Sequence, residues 1–218
     1  MKKKAFIFDL DGVIVDTAKY HFQAWKKIAD ELGFEFTHEN NELLKGVSRV
    51  RSLDIILELG KVNASQEDKN RWLIQKNEDY LSYLVDINEN EILPGVIPVL
   101  NYLKDRNQLI ALGSASKNAR PILEKTEILT YFDAIVDGND VSNAKPNPEV
   151  FLLAAQLLHT KPKDSIVFED SVAGIQAANI GGMISVGIGE ASTLYEAKYI
   201  FKDFTLMDKT FIDDLINF

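Results

Sequence analysis

The order of apolar runs and helical patterns predicts a doubly wound α/β fold: a parallel sheet with an all-α segment inserted behind its first strand. Three observations carry this reading. The run Ala5-Phe6-Ile7-Phe8 ends in Asp9, as a buried parallel strand does when it delivers a polar residue to its C-terminal edge. Similar runs recur at Leu109 to Leu112, Ile135-Val136, Ile166 to Phe168 and Ile184 to Ile188, alternating with helical patterns. Between the first run and Leu93-Pro94-Gly95 the pattern is instead helix after helix, with no strand candidate. A sheet of this kind binds its ligands at the strand C-termini.

Taken in order, the helical signals are as follows. Asp16 or Thr17 can cap a helix that places His21, Trp25, Ile28 and Leu32 on one face. Leu43-Leu44 and Val50 to Leu59 predict helices flanking the loop Lys45-Gly46-Val47-Ser48-Arg49, and Trp72 to Leu84 completes a small bundle. Trp25 and Trp72 are expected in the core of that bundle. Val96, Val99, Leu100 and Leu103 follow the helix period, while Asn147-Pro148 and Ser171-Val172 start two further helices. Gly187-Ile188-Gly189 reads as a turn. The expected division is a core of residues 1–15 and 93–218 around a cap of residues 16–92, joined by hinges near 14–17 and 86–94.

A chain of 218 residues with 46% hydrophobic and 26% charged content can bury a core without disulfide or metal staples. Its net charge of -9 opposes sequence-independent binding to nucleic acid or anionic lipid, so an anionic substrate needs a local basic site. The absence of Cys removes thiolate zinc sites and cysteine nucleophiles. Lys2 to Lys4 have no adequate apolar stretch behind them to act as a secretory signal, and the apolar runs are too short for a membrane span. The expectation is a cytoplasmic monomer acting on a small molecule.

The chemistry gathers at the predicted strand ends. Asp9-Leu10-Asp11-Gly12-Val13 puts two carboxylates two residues apart where a strand breaks into a loop. An EF-hand would need further oxygen ligands and a glycine at its sixth position, which Val13 to Asp16 do not supply. Ser114 ends a second strand, Lys145 precedes Pro146, and Glu169-Asp170 ends a third strand. No Gly-x-x-x-x-Gly-Lys-Ser/Thr exists to support a P-loop. The four motifs, in this order and across the whole chain, resemble those of the haloacid dehalogenase-like phosphotransferases.

That resemblance implies a Rossmann-like core with a helical cap, and residue roles that phosphoryl transfer explains. Asp9 would be the nucleophile, able to approach an anionic phosphoryl group only where Mg²⁺ and a lysine neutralise the field. Asp9, Asp170 and the main-chain carbonyl of Asp11 would hold one Mg²⁺, with Glu169 a further ligand or a support to one. Ser114 would hydrogen-bond the phosphoryl oxygens, Lys145 would balance their charge, and the Asp11 side chain would be the general acid and base.

Within the family, Thr17 and His21, then Leu44 to Arg49 with Ser52, then Ser114 to Asn118, are most similar to the β-phosphoglucomutases. These interconvert β-glucose 1-phosphate and β-glucose 6-phosphate through a phosphoaspartate and β-glucose 1,6-bisphosphate. The expected substrate contacts are Trp25, Leu44, Lys45, Gly46, Val47, Arg49, Ser52 and Lys76 from the cap and Ala115, Ser116, Lys117 and Asn118 from the core. Arg49 would grip the distal phosphate, and Gly46 would let main chain approach the sugar. Arg51 reads as a solvated helix face. Thr17, His21 and Lys76 would position Asp11 only on cap closure. A hydrolytic phosphatase for a sugar phosphate or nucleotide shares every core residue and is the alternative; Arg49 and the Lys45 to Val47 loop stand against it.

Overall fold

Strand β1 (Ala5–Phe8) is buried on both faces and becomes the centre of the molecule for that reason. Residues 3–218 are described by the computed structural model; Lys2 of the basic run lies outside them, and Lys4 is buried against Asp164 rather than solvated. Parallel to β1 run β2 (Leu109–Gly113) on one side and β4 (Ser165–Glu169) on the other. Beyond them lie β3 (Ala134–Val136) outside β2, then β5 (Ile184–Ile188) and β6 (Tyr199–Phe201) outside β4. The order is β3-β2-β1-β4-β5-β6. Because the chain leaves β1 for neighbours on opposite sides, Asp9 emerges at the topological switch point.

The two-residue period of β1 splits the core into two layers. Phe6 and Phe8 face one side with Ile110, Leu112, Ile166 and Phe168, covered by α5 (Val96–Asp105), α6 (Ala119–Lys125) and α9 (Lys209–Asn217). Phe8 stacks on Phe168 at 4.6 Å between ring centres. Ala5 and Ile7 face the other side with Ala111 and Val167, beneath α7 (Glu149–Leu157) and α8 (Val172–Ile180). Strand β6, α6 and α9 were not foreseen. The strand is three partly buried residues, too short for a period to show. Gly187 lies inside β5 and not in a turn, where a Cβ would meet Leu194 at 3.2 Å.

A third cluster, built on Trp25, Ile28, Leu53, Ile56 and Trp72, holds the helical cap. Its helices are α1 (Ala18–Glu31), α2 (His38–Glu42), α3 (Arg49–Gly60) and α4 (Gln66–Tyr83). Leu43 and Leu44 are not helical, because the Thr37–Asn40 capping box starts a five-residue helix that ends at Glu42. Arg49 opens α3 rather than lying in the loop, since Ser48 caps that helix through the Arg51 amide. Helix α4 begins six residues before Trp72, capped by Ser65. Where the chain enters and leaves the cap, the two connections run side by side: Asp16 N donates to Glu91 O at 2.8 Å and Leu93 N to Ile14 O at 3.0 Å.

Candidate active site

Asp9 follows β1 directly, and its amide continues the sheet by donating to Phe168 O at 3.0 Å. Its carboxylate accepts from Lys145 Nζ at 2.6 Å. Lys145 is fully enclosed, pairs also with Glu169, and sits over the Phe151 ring. Glu169 ends β4 and further accepts from the Ser171 amide and hydroxyl at 2.9 and 2.8 Å. Ser114, just past β2, is buried, with its amide on Val136 O and its hydroxyl accepting from Ser116 N at 3.1 Å. The strand ends thus deliver nucleophile, hydroxyl and ammonium to one edge of the sheet.

Carboxylate oxygens of Asp9, Glu169 and Asp170 lie within 4.8 Å of one another. Burial pushes Asp9 well above the usual carboxylate range, Lys145 opposes this, and Glu169, Asp11 and Asp170 add repulsion. Asp170 is pushed up to about 7, by burial first, with Lys45 opposing and Glu169 adding. Burial would depress Lys145, but Asp9 and Glu169 hold it above its ordinary value. A buried all-oxygen donor set carrying this much repulsion fits a hard divalent cation such as Mg²⁺.

The Asp11 side chain stays outside that cluster. Its Oδ1 accepts from the Thr17 hydroxyl and lies 3.6 Å from His21 Nε2, whose Nδ1 is 2.6 Å from Lys76 Nζ. Thr17 therefore occupies the cap position of α1 without capping it, and Asp16 pairs with Lys19 instead. Burial would raise Asp11, but His21, Thr17 and the more distant Lys76 hold it below its usual value. Burial, followed by Lys76, lowers His21 below its ordinary value, while its Nδ1 faces Lys76 Nζ and its Nε2 faces Asp11 Oδ1.

Cap and core enclose a cavity of about 520 Å³ between Asp9, Asp11, Ser114 and Asp170 on one wall and Arg49 and Lys76 on the other. Every expected substrate contact lines it: Trp25, Leu44, Lys45, Gly46, Val47, Arg49, Ser52 and Lys76 from the cap, Ala115, Ser116, Lys117 and Asn118 from the core. Thr17, Lys145 and Glu169 stand behind this lining. Arg49 forms no ion pair among the described residues, whereas Arg51 is exposed on Glu58 at 2.8 Å. Two of these residues make further contacts besides lining the cavity. Gly46 closes on the core and not only on open cavity, since a Cβ there would lie 2.3 Å from Ser171 Oγ. Lys45 spends its ammonium on Asp170 at 3.3 Å and Glu42 at 3.1 Å. Asn41, Leu73 and the Val141 to Ala144 loop also line the cavity and were missed. For Leu73 the signal was available, three residues before Lys76 on the same helix face.

A haloacid dehalogenase-like hydrolase family model matches residues 3–182. The chain is 41% identical over 201 residues to a β-phosphoglucomutase of Bacillus subtilis, covering 91% of this chain and 89% of that one. It is 31% identical over 182 residues to a phosphorylated carbohydrates phosphatase of Thermotoga maritima, covering 83% and 82%. A crystal structure of a β-phosphoglucomutase from Clostridium difficile superposes with a TM-score of 0.93 at 43% identity, covering 99% of this chain and 98% of that chain. With Asp9, Ser114, Lys145 and Asp170 gathered at the switch point of its sheet, the chain belongs to the haloacid dehalogenase-like hydrolase family.

Proposed function

We propose that this protein is a Mg²⁺-dependent β-phosphoglucomutase that interconverts β-glucose 1-phosphate and β-glucose 6-phosphate. The observation that carries the reading is a single cavity with Asp9 on one wall and, on the other, Arg49, which has no ion-pair partner among the described residues, as a bisphosphate with two anchored ends requires. Similarity to β-phosphoglucomutases over nearly the whole chain supports it.

The residues divide the work as follows. Asp9 Oδ attacks the phosphorus of a bound phosphate; the new Asp9–phosphorus bond forms as the bond to the sugar oxygen breaks. Asp11 gives that oxygen its proton. In the second half, Asp11 takes the proton from the other sugar hydroxyl, which attacks the phosphoaspartate and frees Asp9. Ser114 and Lys145 hold the transferring phosphoryl oxygens, while Arg49, with Ser116, Lys117, Asn118 and Ser52, holds the distal phosphate. Mg²⁺, held by Asp9, Asp170 and the Asp11 main-chain carbonyl with Glu169 beside them, supplies charge neutralisation when bound. Thr17, His21 and Lys76 aim Asp11. The β-glucose 1,6-bisphosphate formed by that attack turns end for end before Asp9 attacks its other phosphate, and it also primes the free enzyme.

The same reading divides the chain into a core of 1–15 and 93–218 and a cap of 16–92, which the paired hinge segments support. It makes the enzyme a cytoplasmic monomer without nucleic-acid or membrane partners. No helix among the described residues is long and apolar enough to cross a membrane. Turnover of β-glucose 1-phosphate with and without β-glucose 1,6-bisphosphate is the direct test. Formation of the 6-phosphate, accelerated by bisphosphate, is expected. Release of inorganic phosphate faster than isomerisation would make the protein a sugar phosphatase.

A further inference from the structure

Asn118 occupies the cap position of α6 without capping that helix, although its carboxamide is well suited to the task. The carboxamide reaches from core to cap instead: Asn118 Nδ2 donates to Asn77 Oδ1, on α4, at 3.2 Å. The loop that carries Asn118 is tied to the core by Gly138 N on Ser116 O at 3.1 Å and by Asn139 Nδ2 on Lys117 O at 3.0 Å. Within the loop, the Asn118 amide donates to Ser116 Oγ at 3.3 Å. A second clasp joins the same two helices. Lys125 Nζ, at the end of α6, donates to Leu84 O and Val85 O at 2.8 and 2.7 Å, where α4 ends. Asn77 and Leu84 lie about two helical turns apart, as do Asn118 and Lys125, so the helices run in the same sense and in matching register. The Lys125 clasp sits beside the connection that leaves the cap, and the Asn77 clasp is at Asn118, which lines the cavity. Asn77 itself is half-buried and stands behind that lining.

We propose that Asn77 is a positioning residue for the distal phosphate, acting through Asn118. A carboxamide has ends of opposite sign, and a phosphate oxygen accepts only from the nitrogen end. Asn77 Oδ1 also only accepts, so it holds that nitrogen in place and leaves its second N–H for the phosphate. Were the Asn118 amide turned over, its oxygen would meet the Asn77 oxygen, which repels it. The donor is therefore set before substrate arrives, and the cost of ordering that side chain does not fall on binding. Because Asn77 stands on the cap and Asn118 on the core, the same bond fixes the span between Asn118 and Arg49, the two sides of the grip. With the Lys125 end pinned, a shift of the cap is taken up at the Asn77 end. The proposal rests on the distal-phosphate role given to Asn118 above.

Asn77→Ala removes the acceptor and leaves every residue of the cavity lining in place. The expected result is a kcat/KM for β-glucose 1-phosphate lowered roughly three- to tenfold, the worth of one neutral hydrogen bond, mainly through KM. Phosphorylation of Asp9 by acetyl phosphate, which has no distal group, should change less than about twofold. The side-chain amide resonances of Asn118 should move in the same variant. Asn118→Ala should lose more on the sugar phosphate, and in that background Asn77→Ala should add less than about twofold, because the bond is already cut. A loss under about twofold for Asn77→Ala, an equal loss on acetyl phosphate, or an undiminished further loss in the Asn118→Ala background would each overturn the proposal. If Asn77→Ala fails to fold, the wild-type enzyme answers. Asn118 side-chain amide protons that exchange at least about tenfold more slowly than those of the exposed Asn63 support the bond, and equal rates reject it. Asn118→Ala without effect on the sugar phosphate would remove the distal role of Asn118, and the proposal with it; an effect of Asn118→Ala alone would sink only the part given to Asn77. Should the wild type release phosphate instead of isomerising, the mutase reading fails by itself, and the selectivity between sugar phosphate and acetyl phosphate is then read on hydrolysis.

Discussion

Two carboxylates separated by one residue have opposite surroundings, and that contrast assigns their work. Asp9 is raised by burial and by the acids beside it, while Asp11 is held down by His21 and Thr17. Asp11→Asn is therefore expected to lower turnover by orders of magnitude while leaving Mg²⁺ affinity nearly intact, because its side chain lies outside the acidic cluster. Asp170→Asn should instead weaken Mg²⁺ binding, as isothermal titration would show; the reverse pattern would exchange the two roles. Arg49 makes a second prediction at this scale. Its guanidinium is depressed by burial and has no carboxylate partner among the described residues, so it faces the cavity uncompensated. Arg49→Ala should cost roughly ten- to a hundredfold in kcat/KM for the sugar phosphate, the worth of one charge-assisted pair, and much less for acetyl phosphate, which has no distal group to hold. Equal losses on both substrates would remove Arg49 from the distal site.

At the scale of elements, the loop between α2 and α3 shows what a sequence can and cannot say. Lys45-Gly46-Val47-Ser48-Arg49 was legible as a loop between two helices from the local pattern, and as a binding loop only through the family resemblance. What Gly46 is for was not. It adopts φ of +73° and brings the cap backbone against Ser171, which also caps α8 and holds Glu169. That contact joins residues more than a hundred positions apart, and no local pattern contains it. Strand-terminal Asp9, Ser114 and Glu169 were readable because a buried apolar run announces its own end. Asn77 was not, since one polar residue on a helix reads as solvated until its partner across the fold is known. Gly46→Ala should then impair closure more than folding. A positive φ costs an alanine about 1 kcal/mol, and the Cβ meets Ser171, so KM should rise and kcat fall roughly tenfold with a melting temperature only a few degrees lower. Unchanged kinetics would mean that the loop closes without this contact.

For the whole molecule, a chain of net charge -9 brings Lys45, Arg49, Lys76 and Lys117 to one cavity, and Lys76 sits there against its own solvation. Lys76 is 2% exposed. Burial, and next the charge of Arg49, lower its ammonium to about 7, with Asp11 only partly compensating. Linkage fixes the consequence. Below about pH 7 folded and unfolded chains both carry the proton, and the folded state bears the full cost of burying it. From there up to the ordinary lysine value of about 10.4 the unfolded chain still holds the proton while the folded one has released it, so this group makes stability rise with pH across that window. Lys76→Met keeps the volume and removes the charge. It should stabilise the fold by on the order of 1–4 kcal/mol near pH 6, with the gain shrinking toward pH 9 as the wild type sheds its own cost. The same substitution removes the partner of His21 Nδ1 and should lower mutase turnover by more than tenfold. Urea midpoints for both proteins at the two pH values, beside kcat for each, test the trade. A variant less stable near pH 6 than the wild type would show that the His21 contact and the ring faces of Trp25 and Tyr80 more than offset the burial of the charge.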